Sequence, residues 1–149
     1  MNKNLEEENN KILKLLENYD DFNMSVYDIN LDEDQNYVMY IIVNSCLKMG
    51  KGKLSAQVGH GVHKMAQYCL EHKKDLWNKY VNSNIPKIVL KTKSQEQLLE
   101  VIDKTKNIFK SYVIDEGRTQ IAKNSLTVVS YEPMLKQNVP DAIKELKLL

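Results

Sequence analysis

Arginine is almost missing from this chain: Arg118 stands alone among 21 basic residues. Cysteine is scarce as well. Cys46 and Cys69 are too few and too casually spaced for a disulfide framework, so the sequence predicts a reducing, cytoplasmic setting. No apolar run is long enough to span a bilayer. The opening "MNKNLEEENN" is acidic where a secretory leader is basic and then apolar, and it lacks the arginines of a transit peptide. These absences leave a chain of 149 residues and ordinary composition, long enough for one domain with a real core.

Charge is abundant but uneven. The formal net charge is +1, yet residues 1–36 hold three lysines against ten acids, a balance of −7. Residues 37–149 hold 18 basic and 10 acidic side chains, a balance of +8. Lysines near phosphates release condensed counterions, so a basic body suits a polyanionic partner; a merely solubilising surface gives the same count. The boundary near residue 36 divides an acidic N-terminal extension, partly helical or disordered, from a basic domain. Within the extension Leu5, Ile12, Leu13 and Leu16 fit one helical stripe, and "YDDFNMSVYDINLDEDQN" reads as a poorly ordered linker.

From Tyr37 the pattern becomes that of an α/β domain. "YVMYIIVN" is a strand buried on both faces. Leu54, Val58, Val62, Met65 and Cys69 form the apolar stripe of a helix ending near His72, and "DLWNKYV" is a short second helix. "KIVLKT" follows Pro86 as a strand, and "SQEQLLEVIDKTKN" is a helix opened by Ser94 and Gln97 in a capping-box pattern. "SYVID" and "LTVVSYE" are strands, and Pro140 opens a last helix with Ile143 and Leu146 on one face. The order β-α-α-β-α-β-β-α predicts a mixed four-stranded sheet with helices on both faces.

The stretch "LKMGKGKLSAQVGH" joins the first strand to its helix. It is not a Walker A loop, because the residue five places after Gly50 is Ser55 and the one after Gly52 is Gln57, nor does it read G-x-G-x-x-G. Lys48, Lys51 and Lys53 nevertheless add charge to a helix N-terminus that already attracts anions. Lys53, Gln57, His60 and Lys64 share the helix face opposite the apolar stripe. Gly59 and Gly61 each cost roughly 0.8–1.0 kcal/mol against alanine in mid-helix. They mark close packing or access for a bulky substrate. His60 and His63 have a spacing that permits metal binding, but no third ligand is placed by the sequence, and both read as polar-face residues.

The second unusual stretch is "VIDEGRTQ". It closes a strand with Asp115, turns at Gly117 and presents Arg118, Thr119 and Gln120. A lone guanidinium suits bidentate phosphate or carboxylate recognition, or a clamp on Asp115. Ligands of α/β sheets bind at strand ends, which brings the two stretches into prospect as one site.

Together "LKMGKGKLSAQVGH", "DEGRTQIA" and the "LKLL" ending resemble the type 2 peptidyl-tRNA hydrolases of archaea and eukaryotes, over Tyr37 to Leu149. The resemblance implies an enzyme that cleaves the ester joining a peptide to the terminal ribose of tRNA, in the service of translation. It implies a homodimer with no metal or organic cofactor. Carried over by motif, the catalytic residues are Lys53, Asp115 and Thr119, with Gln57, His60 and Arg118 matching the rest of the motif. Lys48, Lys51 and Lys64 are then expected on tRNA phosphates. Two departures stand out. The family usually has arginine and aspartate where this chain has Asn44 and Cys46, and proline-glycine where it has Lys123 and Asn124. They leave open the alternative of a tRNA- or RNA-binding protein of the same fold with weak or no hydrolysis. An interaction protein whose acidic extension covers its own basic face is a third possibility.

Overall fold

The computed structural model describes residues 3–17, 36–117 and 121–149. Its centre is β1 (Tyr37–Asn44), whose alternation divides the core in two. Val38, Tyr40 and Ile42 point to one side of the sheet, where Leu98, Val101 and Ile143 cover them. Met39, Ile41 and Val43 point to the other, against Met65, Cys69 and Tyr80. Each large side chain buried this way contributes about 1.5–3 kcal/mol relative to exposure. An unbroken apolar run is what a central strand with helices on both sides requires.

Two helices carry the chain across one face. They are α2 (Lys51–His72) and α3 (Lys74–Asn82), and the chain then returns as β2 (Lys87–Thr92), parallel to β1. The opposite face is covered by α4 (Gln95–Lys104). Ser94 caps α4 by accepting from the Gln97 amide at 3.1 Å, while Gln97 Oε1 accepts from the Lys93 amide at 2.7 Å. Next come β3 (Lys110–Asp115) and β4 (Ser125–Tyr131), antiparallel to each other, with β4 antiparallel to β1. A short helix α5 (Asp141–Lys144) buries Ile143 completely.

The sheet has six strands rather than the four expected. The additions are β5 (Met134–Leu135), which pairs with the start of β1, and β6 (Lys147–Leu148), antiparallel to β2. Both are two residues long, too short to show an alternation, and each exists through its pairing with a longer strand. The main path is β3-β4-β1-β2-β6.

The N-terminal stripe does form a helix, α1 (Lys3–Leu16), but none of its residues is buried. Of the predicted linker, residues 19–36, all but Asn36 lie outside the described residues. Among the described residues no helix is long and apolar enough to cross a membrane.

One irregularity shapes the site. The β3–β4 register shifts between Val113 and Ile114, so that Val113 faces Val128 while Ile114 faces Leu126. Thr127 is the extra residue of a β-bulge. Leu126 packs on the α4 side, whereas Val128 belongs to the α2 side. The bulge lets Thr127 face α2 as well, where its hydroxyl lies 3.2 Å from Gln57 Oε1.

Candidate active site

Helix α2 starts against its own dipole. Gly50 is the N-cap, Leu54 N–H donates to Gly50 O at 2.9 Å, and the first turn contains Lys51 and Lys53 with no acid. Cations at a helix N-terminus are unfavourable by a few tenths of a kcal/mol to about 1 kcal/mol each. Such a local conflict points to a use for the charge.

The use is visible at the neighbouring strand end. β3 runs in the same direction as β1, because both are antiparallel to β4, so their C-terminal ends share one edge of the sheet. There Lys53 Nζ donates to Asp115 Oδ2 at 2.7 Å, and both side chains are only about a tenth exposed, at 10% and 11%. Gln57 Nε2 donates to the same oxygen at 3.0 Å, and the Gly117 amide donates to Oδ1 at 2.7 Å. The Lys53 ammonium and the Gly117 N–H hold the Asp115 carboxyl below the usual carboxylate range, with Gln57 adding to them.

Gln57 is buried and fixed in turn by Thr127, whose hydroxyl lies between Gln57 Oε1 and Val113 O, 3.0 Å from the latter. The loop after Asp115 is pinned at both ends. Gly117 has φ +76°, and a Cβ there would sit 2.6 Å from the Lys123 Cα, which only glycine avoids. The Asn124 amide donates to Asp115 O at 2.7 Å with Asn124 in the left-handed conformation at φ 63°. Asparagine is one of the few residues besides glycine that tolerates this conformation.

Above the pair opens a groove of about 840 Å³ between α2 and β3. Lys53, Gln57, His60 and Lys64 line it from the helix, and Asp115 and Glu116 from the strand end. Lys64 Nζ also donates to Tyr112 O at 3.0 Å. The helix face read from the sequence is therefore the wall of one cavity. His63 and Gln67 extend that wall, and among the described residues no group of three or more His, Cys, Asp or Glu is placed to hold a metal. Lys48 and Lys51 are exposed at the start of the helix, outside the groove lining. Arg118 and Thr119 lie outside the described residues. Thr127 is the participant that sequence reasoning missed, because its orientation follows from a bulge that only strand pairing creates.

Gly61 and Gly59 serve different ends. A Cβ on Gly61 would penetrate Ser130 Oγ and approach Val128 Cγ1 to 3.1 Å, so its absence lets α2 lie close on β4. Nothing lies within 4 Å of a Cβ on Gly59. The two residues that depart from the family's pattern before the lysine motif touch each other. Cys46 Sγ donates to Asn44 Oδ1, while the buried Asn44 donates to Gln95 Oε1 at 2.8 Å and Leu126 O at 3.0 Å. This neutral cluster lies outside the groove lining.

An α/β domain with a clamped lysine–carboxylate pair at the open edge of its sheet has the parts of a hydrolytic centre: a fixed cation, an ionised acid and room for a bulky anion. The family model described as Peptidyl-tRNA hydrolase PTH2 matches residues 37–149. The chain belongs to that family. It is 35% identical over 116 residues to a peptidyl-tRNA hydrolase of Methanococcus maripaludis, covering 76% of this chain and 99% of that protein. It is 31% identical over 118 residues to a probable peptidyl-tRNA hydrolase 2 of Drosophila melanogaster, covering 78% of this chain and 63% of that protein. A Bos taurus protein named peptidyl-tRNA hydrolase 2, mitochondrial, is 34% identical over 105 residues, 69% of this chain and 59% of its own length.

Proposed function

We propose that this protein hydrolyses the ester between peptide and tRNA in peptidyl-tRNA, returning free tRNA and peptide to translation. Family membership supports the reaction, and the observation that carries it to residues is the Lys53–Asp115 contact at the floor of the groove. In ester hydrolysis water adds to the carbonyl carbon, an oxyanion develops, and the carbon–oxygen bond to ribose breaks as that oxygen gains a proton. Lys53 is the residue suited to the oxyanion. Its ammonium is held in place before substrate arrives, so little reorganisation is needed during the reaction. Asp115, with its carboxyl held low by its donors, is a weak proton acceptor and acts by positioning and balancing Lys53. Gln57 holds Asp115 and, from the groove wall, is a substrate-binding residue of this reading. Thr119, by the family motif, holds the attacking water or the ribose hydroxyl.

The tRNA contacts in this reading are His60 and Lys64 along the groove, Lys48 and Lys51 at its rim, and Arg118. Residues 1–36 are an extension to a catalytic domain of 37–149, supported by the start of the family match and the fully exposed α1. The enzyme works as a homodimer in the cytoplasm, a setting that suits its unpaired Cys46 and Cys69. The non-hydrolytic alternative is less well supported, because Asn44 and Cys46 lie away from the groove and the lysine–aspartate pair is intact.

The test is release of free tRNA from an N-blocked aminoacyl-tRNA. Lys53→Ala and Asp115→Ala are expected to lower kcat by roughly 10²–10³-fold, the range seen when one electrostatic group is removed from an active site. Circular dichroism checks that both variants fold. Near-normal turnover by either folded variant rules out the assigned role.

A further inference from the structure

A second group of lysines is placed at the far edge of the sheet. Lys91 on β2 pairs directly with Lys147 on β6. Like charges directly opposite across two strands repel and weaken the pairing. Lys93, just past the end of β2, joins them around a hollow of about 120 Å³. None of the three forms an ion pair with a described residue; Glu145, which also lines the hollow, lies beyond 4 Å of their nitrogens. Three lysines thus share the hollow with a single acid, and two of them face each other at a cost to the sheet.

Their position relative to the groove follows from the register. Lys147, Lys91, Val43, Val128 and Val113 form one row across the sheet. Alternation puts Lys91 opposite to the core residue Leu90, on the side that α2 covers. Three strand spacings of about 4.8 Å place Lys91 roughly 14 Å from Val113, two residues before Asp115. Lys48 and Lys51 follow the intervening strand β1, and β2 contacts the Ser45–Leu47 turn that leads to them. Gln97 of α4 and Leu146 also line the hollow, so the three lysines stand at the rim of the sheet, at the same end of the strands as the helix start and Lys53.

We infer that Lys91, Lys93 and Lys147 form a second phosphate-binding site, which holds the body of the tRNA while its esterified end occupies the groove. The inference rests on the peptidyl-tRNA reading. A phosphate backbone supplies the negative charge that one glutamate leaves short, and its contacts carry no sequence information, as suits an enzyme acting on many tRNAs. The site contributes to substrate capture and leaves the chemical step alone.

The experiment compares the wild type with the triple variant Lys91→Gln, Lys93→Gln, Lys147→Gln on two esters: N-blocked aminoacyl-tRNA, and the same acyl group on a lone adenosine. For the tRNA substrate kcat/KM is expected to fall at least about tenfold at low salt, through KM. The slope of log kcat/KM against log salt should become shallower by about 2, at roughly 0.7–0.9 per phosphate contact. The adenosine ester should be cleaved as by the wild type, and Tm should hold or rise by about 1–3 °C as repulsion is relieved. An unchanged KM and salt slope on tRNA overturns the site, as does an equal loss on the adenosine ester. Anisotropy with deacylated tRNA separates the two readings. If the wild type cleaves neither ester, the hydrolase reading fails, while the lysine site still stands or falls on whether the triple variant binds deacylated tRNA more weakly.

Discussion

Gly61 offers a test of how α2 is held over the sheet. Alanine there gains about 0.8–1.0 kcal/mol of helix propensity. Against that, the new methyl penetrates Ser130 Oγ and stands 3.1 Å from Val128 Cγ1. Overpacking of this kind costs about 1–3 kcal/mol. The net expectation for Gly61→Ala is a loss of up to about 2 kcal/mol, which for this size is a Tm fall of up to about 8 °C. Ser130 makes the argument sharper. Its hydroxyl is buried with no hydrogen-bond partner among the described residues, so Ser130→Ala alone should be neutral or stabilising. In the double variant the worst contact disappears, and the nearest Ser130 atom left is Cβ at 3.6 Å. The double variant should therefore recover most of the loss, giving a coupling of about 1 kcal/mol or more between the two sites. Gly59→Ala, two residues away with open space around it, should gain stability by the full propensity term. Urea denaturation of the four variants and the wild type measures all of these. Additive effects at positions 61 and 130, or a Gly61→Ala protein as stable as Gly59→Ala, would refute the packing account.

Two further outcomes follow from the described contacts. Because its donors hold the Asp115 carboxyl low, the acid limb that it sets in a kcat/KM profile should fall below about pH 4 and leave the rate flat up to neutrality; a limb near pH 6 would assign the titration to another group. The same shift contributes stability above the unfolded carboxyl pKa of about 3.9, lost as pH falls through the lower folded value, so acid unfolding should begin at higher pH in Asp115→Asn. Asn44→Ala removes three side-chain hydrogen bonds at a fully buried position and strands Leu126 O, which should cost about 2–4 kcal/mol in urea denaturation; a loss under about 1 kcal/mol would mean that the cluster is not structural.

How much of this was readable in advance depended on the length of the pattern. β1 and α2 were legible because eight and 22 residues give their periodicities room to show. α4 announced itself through a cap that needs only Ser94 and Gln97. β5 and β6 were not legible, since two residues carry no period and their ladders depend on distant partners. Lys53 and Asp115 could be placed at a helix start and a strand end, which is enough to suggest that they meet. The support beneath them could not be read. Thr127 turns toward Gln57 through a register shift, and the polarity and helix face of Gln57 say nothing about which oxygen it will find.

The partners in the lysine–aspartate contact are 62 positions apart along the chain, and the strand that sets Asp115 in place, β4, comes later still. No fragment ending before β4 can assemble the pair. Catalytic output is therefore a readout of the completed sheet: heat or denaturant should silence turnover in step with the global transition, so that a partly folded copy remains chemically mute.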